Sequence, residues 1–155
     1  MDEIEVRWAK KEEWSTAMTM VWKTFLTFEA PEYGKTGTRE FFEFITDDGL
    51  HERFEKGLYQ VAVAVKDGRI IGVGSLRNVR RLSLLFADTD YIRMGIGSKV
   101  LEFLCDYLRD EAGETVITVK AAPSAVGFYK KVGFFMTGAL EHYGGISVYP
   151  MEKPI

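Results

Sequence analysis

Ile4 to Trp8 alternates polar and apolar positions, the period-two pattern of an opening strand with one buried face. The period then lengthens. From Lys11 to Glu29 the apolar residues Trp14, Met18, Val21, Trp22, Phe25 and Leu26 recur at helical spacing, which predicts a long amphipathic helix. Ala30-Pro31 predicts its stop, because proline disfavours helical geometry in the residue before it. Tyr33-Gly34-Lys35-Thr36-Gly37 reads as a loop. Phe41, Phe42 and Ile45 mark a second, shorter helix, and Gly57 closes a third helical piece containing His51 and Phe54.

The pattern changes again at Tyr59. Tyr59 to Val65 and Arg69 to Leu76 are strand-like and joined through Lys66-Asp67-Gly68, a hairpin signal because Asp-Gly tolerates the positive φ angles of a tight turn. Leu82 to Ala87 is short and apolar enough for a buried strand, and Asp88 to Tyr91 leads from it into Arg93-Met94-Gly95-Ile96-Gly97. Val100, Leu101, Phe103, Leu104, Tyr107 and Leu108 form one helical face ending before Gly113. Thr115 to Val119 reads as a strand, Pro123 opens a helix that ends at Gly133, and Phe134 to Thr137 and Ile146 to Tyr149 are closing strands. No Pro/Ser-rich linker interrupts this order. The expectation is one domain over residues 1–155, of mixed α/β or α+β type, with a sheet flanked by helices.

Composition narrows the function classes. A chain of 155 residues with 46% hydrophobic side chains hides roughly 70% of its unfolded surface, so neither a disulfide nor a metal is needed to hold it together. Cys105 is the lone cysteine, and its spacing with Leu101, Leu104 and Leu108 is that of a buried, inert packing position. The two histidines, His51 and His142, are far apart and make no metal-ligand spacing with it, so no metal is expected. With 20 basic and 23 acidic residues the chain gives no sign of a nucleic-acid surface. Its first residues are charged rather than a secretory signal, and no apolar run is long enough for a membrane span. The expected location is therefore cytoplasmic.

Gly95-x-Gly97 between a strand and a helix is an arrangement that offers unpaired backbone N–H groups to an anion, with the helix dipole adding positive charge. A helix start that uses glycine for steric room gives the same spacing, and the turn alone does not decide between them. Two familiar phosphate loops fail. A dinucleotide fingerprint requires Gly or Ala where Val100 stands, and Gly97-Ser98-Lys99 has neither the spacing nor the order of a nucleotide-triphosphate loop.

Taken together, Leu85-Phe86-Ala87, then Gly95-Ile96-Gly97-Ser98-Lys99-Val100-Leu101, then Ala125-x-x-Phe128-Tyr129-x-x-x-Gly133-Phe134 resemble the GNAT (Gcn5-related) N-acetyltransferase family. The resemblance covers about residues 58 to 152. Gly145-Ile146 with Tyr149-Pro150-Met151, and Phe28 to Tyr33 after the opening helix, are similar to one bacterial branch of it. The resemblance implies a mixed sheet whose fourth and fifth strands splay apart, with acetyl-CoA as cosubstrate in the wedge. Its pantetheine would pair with the strand near Phe86 and Ala87. Its pyrophosphate would lie over the amides of Met94 to Ser98, with Arg93, Lys99 and Phe128 alongside. Tyr129 matches the tyrosine that in the family points at the CoA sulfur and acts as general acid or sulfur-stabilising donor. Two positions depart from the family pattern: Ile92 stands where Gln or Arg is usual, with Arg93 one place later, and Lys120 stands where many relatives have Asn.

Acetyl transfer to an amine requires removal of a proton from an ammonium of pKa about 10.4. It also requires donors for the oxyanion and for the departing thiolate. A phenol, protonated at neutral pH, suits the last task. Glu29, Glu32 and His142 are the candidates on the acceptor side, as proton acceptors or ammonium ligands. Arg77, Arg80 and Arg81 form a short basic cluster whose default reading is a solvated edge, the other reading being contact with the CoA 3′-phosphate. The expected function is acetyl-CoA-dependent N-acetylation of a small-molecule or protein amine by direct attack in a ternary complex, in a chain that family habit would make a homodimer. The two departures keep open a second function, a CoA-binding regulatory domain without turnover.

Overall fold

The computed structural model describes residues 3–91 and 93–155. Its spine is a sheet of strand order β1-β2-β3-β4-β5-β8-β6, with β7 paired to β8 off that path. The strands are β1 (Glu5–Trp8), β2 (Gln60–Lys66), β3 (Arg69–Arg77), β4 (Arg81–Ala87), β5 (Val116–Ala121), β6 (Phe135–Met136), β7 (Glu141–Tyr143) and β8 (Ile146–Pro154). All pairings are antiparallel except β4 with β5. The predicted Asp67-Gly68 turn joins β2 to β3, both residues at positive φ (51° and 75°). Among the described residues no helix is long and apolar enough to cross a membrane.

The parallel pair is short. β4 and β5 are in register only at Arg81↔Thr118 and Leu82↔Val119, after which they diverge. From Ser83 onward β4 keeps its β3 neighbour, Phe86 opposite Val73 and Ala87 opposite Gly72, but loses β5 on the other side. The expected splay is therefore present.

Helices cover the two faces. α4 (Ile96–Asp110) packs Ile96, Val100, Leu101, Leu104 and Leu108 onto one face, where they meet Ala62, Ala64, Ile71 and Ile117. Gly72 and Gly74 face this helix, and a Cβ on either would come within 2.5 Å of a methyl of Ile96 or Val100. Their lack of side chains sets how closely α4 approaches β3. The other face carries α1 (Trp14–Phe28), α2 (Ala30–Ile45) and α3 (Asp48–Glu55), whose core includes Phe25, Val63, Val73, Leu84 and Phe86.

The chain around residues 30–45 corrects the expected loop. Tyr33 to Gly37 is helical within α2, interrupted only at Gly34, whose φ of 70° is favoured by glycine. Pro31 falls in the first turn of α2, where its missing N–H costs nothing, so it ends one helix by starting another. Phe41 then stacks on Phe25 (centroids 4.1 Å apart) and reaches Phe86 (5.9 Å), fastening α2 above the diverging part of β4. β7 was not predicted; its hairpin with β8 turns at Gly144-Gly145. Gly145 meets Gly37 backbone to backbone: a Cβ on Gly37 would lie 2.9 Å from the Gly145 oxygen.

Candidate active site

α4 begins at the diverging end of β4. Its N-cap Gly95 is left-handed (φ 70°), as is Arg93 (φ 72°). The first helical bond inside the turn runs from the Lys99 N–H to the Gly95 oxygen (3.0 Å). The amides of Gly95, Ile96, Gly97 and Ser98 have no acceptor among the described residues. This is the orphan-donor set that the glycine spacing anticipated. Met94 differs, because its amide donates to the Tyr91 oxygen (3.3 Å) and is already engaged. Ile96 contributes its amide alone. Its side chain is buried against Gly72 in the core, so only its backbone faces outward. Arg93, Met94, Ser98 and Lys99 are exposed around the turn. Phe128 closes one side: a Cβ on Gly97 would stand 3.7 Å from its ring. Gly95 and Gly97 thus leave open the space that side chains would fill. Ile92 lies outside the described residues.

Between the diverging strands is a small cavity of about 70 Å³, lined among others by Glu29, Tyr33, Leu85, Phe86, Lys120 and Tyr129. Tyr129 comes from α5 (Val126–Lys131), is buried, and packs edge-on against Phe128 and Phe134. Its hydroxyl has no hydrogen-bond partner among the described residues. Burial first, and then the charge of Glu29, raise the Tyr129 pKa above the ordinary phenol value. It is therefore a phenol that stays protonated and has a proton to donate. Tyr33, half-buried beside it, is raised for the same reasons in the same order.

Glu29 caps the end of α1 and starts α2, and this junction turns its carboxyl into the cavity. Burial raises its pKa to about 7, and the neighbouring charge of Glu32 adds to the effect. A carboxylate with that pKa accepts a proton near neutrality far more readily than an ordinary one. Glu32 goes elsewhere. It is exposed and accepts hydrogen bonds from the Ser124 amide (3.1 Å) and hydroxyl, tying α2 to the segment before α5. His142 lies on β7, exposed, with its Nδ1 2.8 Å from Ser147 Oγ, and it does not line the cavity. Of the three acceptor-side candidates the structure brings only Glu29 to Tyr129.

The cavity continues into a wider cleft of about 430 Å³ between α2 and the β7–β8 hairpin, walled by Tyr33, Phe41, Phe44 and Tyr143. Lys120, the second departure, stands where both open. Its Nζ is 2.7 Å from Glu141 Oε1, which also accepts the Tyr143 hydroxyl (2.7 Å). These contacts hold the Glu141 carboxyl below its usual pKa, the Lys120 hydrogen bond being the main cause. Arg77 and Arg81 also line the cleft, Arg77 exposed and Arg81 half-buried, so the expected solvated edge forms part of its wall. Arg81 opens β4 at the end opposite the glycine turn, about 20 Å of strand away, with Arg77 across from it on β3. Sequence reasoning missed Tyr33, Glu141 and Tyr143, whose proximity rests on helix and hairpin packing. Cys105 is buried as expected, its thiol pushed up in pKa by burial. Two larger surface clefts, each about 630 Å³, lie along the outer sides of α1, away from Tyr129.

A family profile described as "Acetyltransferase (GNAT) domain" matches residues 29–155. Solved structures share the fold over nearly the whole chain at low identity. A GCN5-related N-acetyltransferase from Rhodopseudomonas palustris aligns with TM-score 0.84 and 18% identity, covering 100% of this chain and 98% of the other. The PaiA N-acetyltransferase from Thermoplasma acidophilum, solved in complex with coenzyme A, aligns with TM-score 0.74 and 18% identity over 99% of both chains. A ribosomal-protein-alanine N-acetyltransferase from Brucella melitensis aligns with TM-score 0.68 and 19% identity, covering 97% and 99%. A search of curated protein sequences gives no match. The profile match extends from Glu29 at the cavity to the final strand, over the same glycine turn and diverging strands just described, and the chain belongs to the GNAT acetyltransferase family.

Proposed function

We propose that this chain is an acetyl-CoA-dependent N-acetyltransferase that passes the acetyl group directly to a primary amine. The observation that carries this is the meeting of two things at the β4–β5 divergence. One is a helix N-terminus with unpaired amides, and the other is the Glu29–Tyr129 pair, an acceptor and a donor of protons facing one cavity. The coenzyme A bound in the Thermoplasma structure supports the choice of cosubstrate, and the names of the neighbouring enzymes support an amine acceptor.

Acetyl-CoA supplies an activated thioester when bound. The chain's own groups do the rest. The amides of Gly95 to Ser98 hold the pyrophosphate, with Arg93 and Lys99 adding charge at the rim and Phe128 walling one side. The open edge of β4 at Phe86 and Ala87 offers backbone groups to the pantetheine amides. Glu29, with a pKa of about 7, takes the proton of the incoming ammonium and so exposes its lone pair. Tyr129 holds its proton at neutral pH and donates at the position of the departing sulfur.

The test measures acetyl-CoA binding by thermal shift and free thiol release with a panel of primary amines. Binding with amine-dependent thiol release is expected. Binding without release for any amine sinks transfer and leaves the sensor function standing; no binding sinks both.

A further inference from the structure

The acceptor cleft has an excess of positive charge, which is the wrong sign for a polycation. Arg77, Arg81 and Lys120 line it, and Glu40 is its one lining carboxylate among the described residues. Lys120 is neutralised by Glu141, and Glu40 turns its Oε1 toward the Gly145 amide (3.3 Å). Neither Arg77 nor Arg81 has a carboxylate within ion-pair distance among the described residues.

The two arginines are also cross-strand partners. Arg77 ends β3 and Arg81 opens β4, in direct register. Like charges facing each other across an antiparallel pair repel, a local cost that folds keep where it serves a site. Arg77 carries its guanidinium over the Phe44 ring (5.3 Å to the centroid), and the N–H edge makes no hydrogen bond among the described residues. Such edges match the paired oxygens of a carboxylate or phosphate. The cleft connects the arginines at one end to the Glu29 cavity, through Tyr33 and Lys120, at the other.

We infer that the acceptor is a small zwitterionic amine, its ammonium directed to Glu29 and its carboxylate or phosphate held between Arg77 and Arg81. This rests on the acetyl transfer proposed above and names the substrate class for the same site. A polyamine, with positive charge at both ends, is disfavoured.

The experiment compares kcat/KM for matched acceptors: α- and ω-amino acids, their methyl esters, phosphoethanolamine, and spermidine. The free acids or the phosphorylated amine should exceed the esters and spermidine by about tenfold or more, the scale of a charge-assisted bidentate contact. The acid-to-phosphate ratio identifies which anion is used. Arg77→Gln and Arg81→Gln should each raise KM for the anionic acceptor by about tenfold, with kcat and the KM of acetyl-CoA nearly unchanged. They should also erase the preference of acid over ester, and Arg81→Lys should keep part of it. A melting curve on each variant separates misfolding from lost recognition. Spermidine or the esters turned over as well as the acids overturns the inference and leaves acetyl transfer standing. An acid preference that survives both Gln variants also overturns it. No acetylation of any amine, with acetyl-CoA still bound, overturns transfer itself.

Discussion

On the α4 side of the split, the central donors are backbone amides from one short segment, Gly95 to Ser98 at a helix N-terminus, with the Arg93 and Lys99 side chains only at the rim. On the α2 side they are side chains, drawn from the α1–α2 junction (Glu29), the β3–β4 hairpin (Arg77, Arg81), β5 (Lys120) and β7 (Glu141). A backbone cradle is indifferent to most side-chain changes as long as no Cβ fills it. A side-chain site can change its ligand one residue at a time. In this chain the proposed cosubstrate side is thus the uniform part of the molecule and the proposed acceptor side the particular part.

If the two sides act separately, substitutions should move one set of constants and spare the other. Glu29→Gln tests this most strongly. It should lower kcat by about 10²- to 10⁴-fold, the range for loss of a positioned general base, while acetyl-CoA affinity changes by less than about threefold. The wild-type kcat/KM should rise as pH passes about 7 and the variant should lack that inflection, because Glu29 takes a proton only when ionised. A large loss of acetyl-CoA binding in this variant would break the separation.

Gly97→Asp comes next. It places a carboxylate among the amides that face outward and should weaken acetyl-CoA binding by about 100-fold in a calorimetric titration, the cost of replacing charge attraction by repulsion. The order of preference among acceptors should not change. Tyr129→Phe is expected to lower kcat by roughly tenfold with little change in either KM, since it removes a proton donor but keeps the ring packed on Phe134. An unchanged kcat would assign Tyr129 to packing alone.

The smallest effect is on stability. The folded chain keeps Glu29 protonated up to about pH 7, whereas an unfolded carboxyl ionises at its ordinary value of 4.5, so the folded state binds more protons between these values. Stability from this group is present below pH 4.5 and lost as pH rises through 7. Glu29→Gln should therefore raise the melting temperature by a few degrees at pH 8 and by nothing measurable at pH 4.5. Base function and stability pull in opposite directions at this residue.

The glycine turn, the helix after it and the Asp67-Gly68 hairpin were legible because their signals are local: spacing and φ preference act within a few residues. Tyr129 was legible only through its family pattern, since an isolated Phe-Tyr pair reads as core. Elsewhere local signals misled. The glycines at Gly34 and Gly37 read as a loop, yet only Gly34 breaks the helical path, and Gly37 is there to let Gly145 approach. The role of Gly72 and Gly74 rests on α4, which packs against the space a side chain would fill.

By itself the sequence determined a mixed α/β chain with a helix opening on a glycine turn, because periodicity and turn chemistry depend on neighbours along the chain. Tertiary structure alone decided which carboxylate enters the cavity. Glu29 and Glu32 sit one helical turn apart, and only the way α2 packs through Phe41 sends the first inward and the second to Ser124. It also decided that Arg77 and Arg81 face each other, since their register follows a bulge between Ser75 and Leu76. Burial and proximity, the two quantities that give a side chain its chemistry, belong to the packed molecule and are not written in the order of its residues.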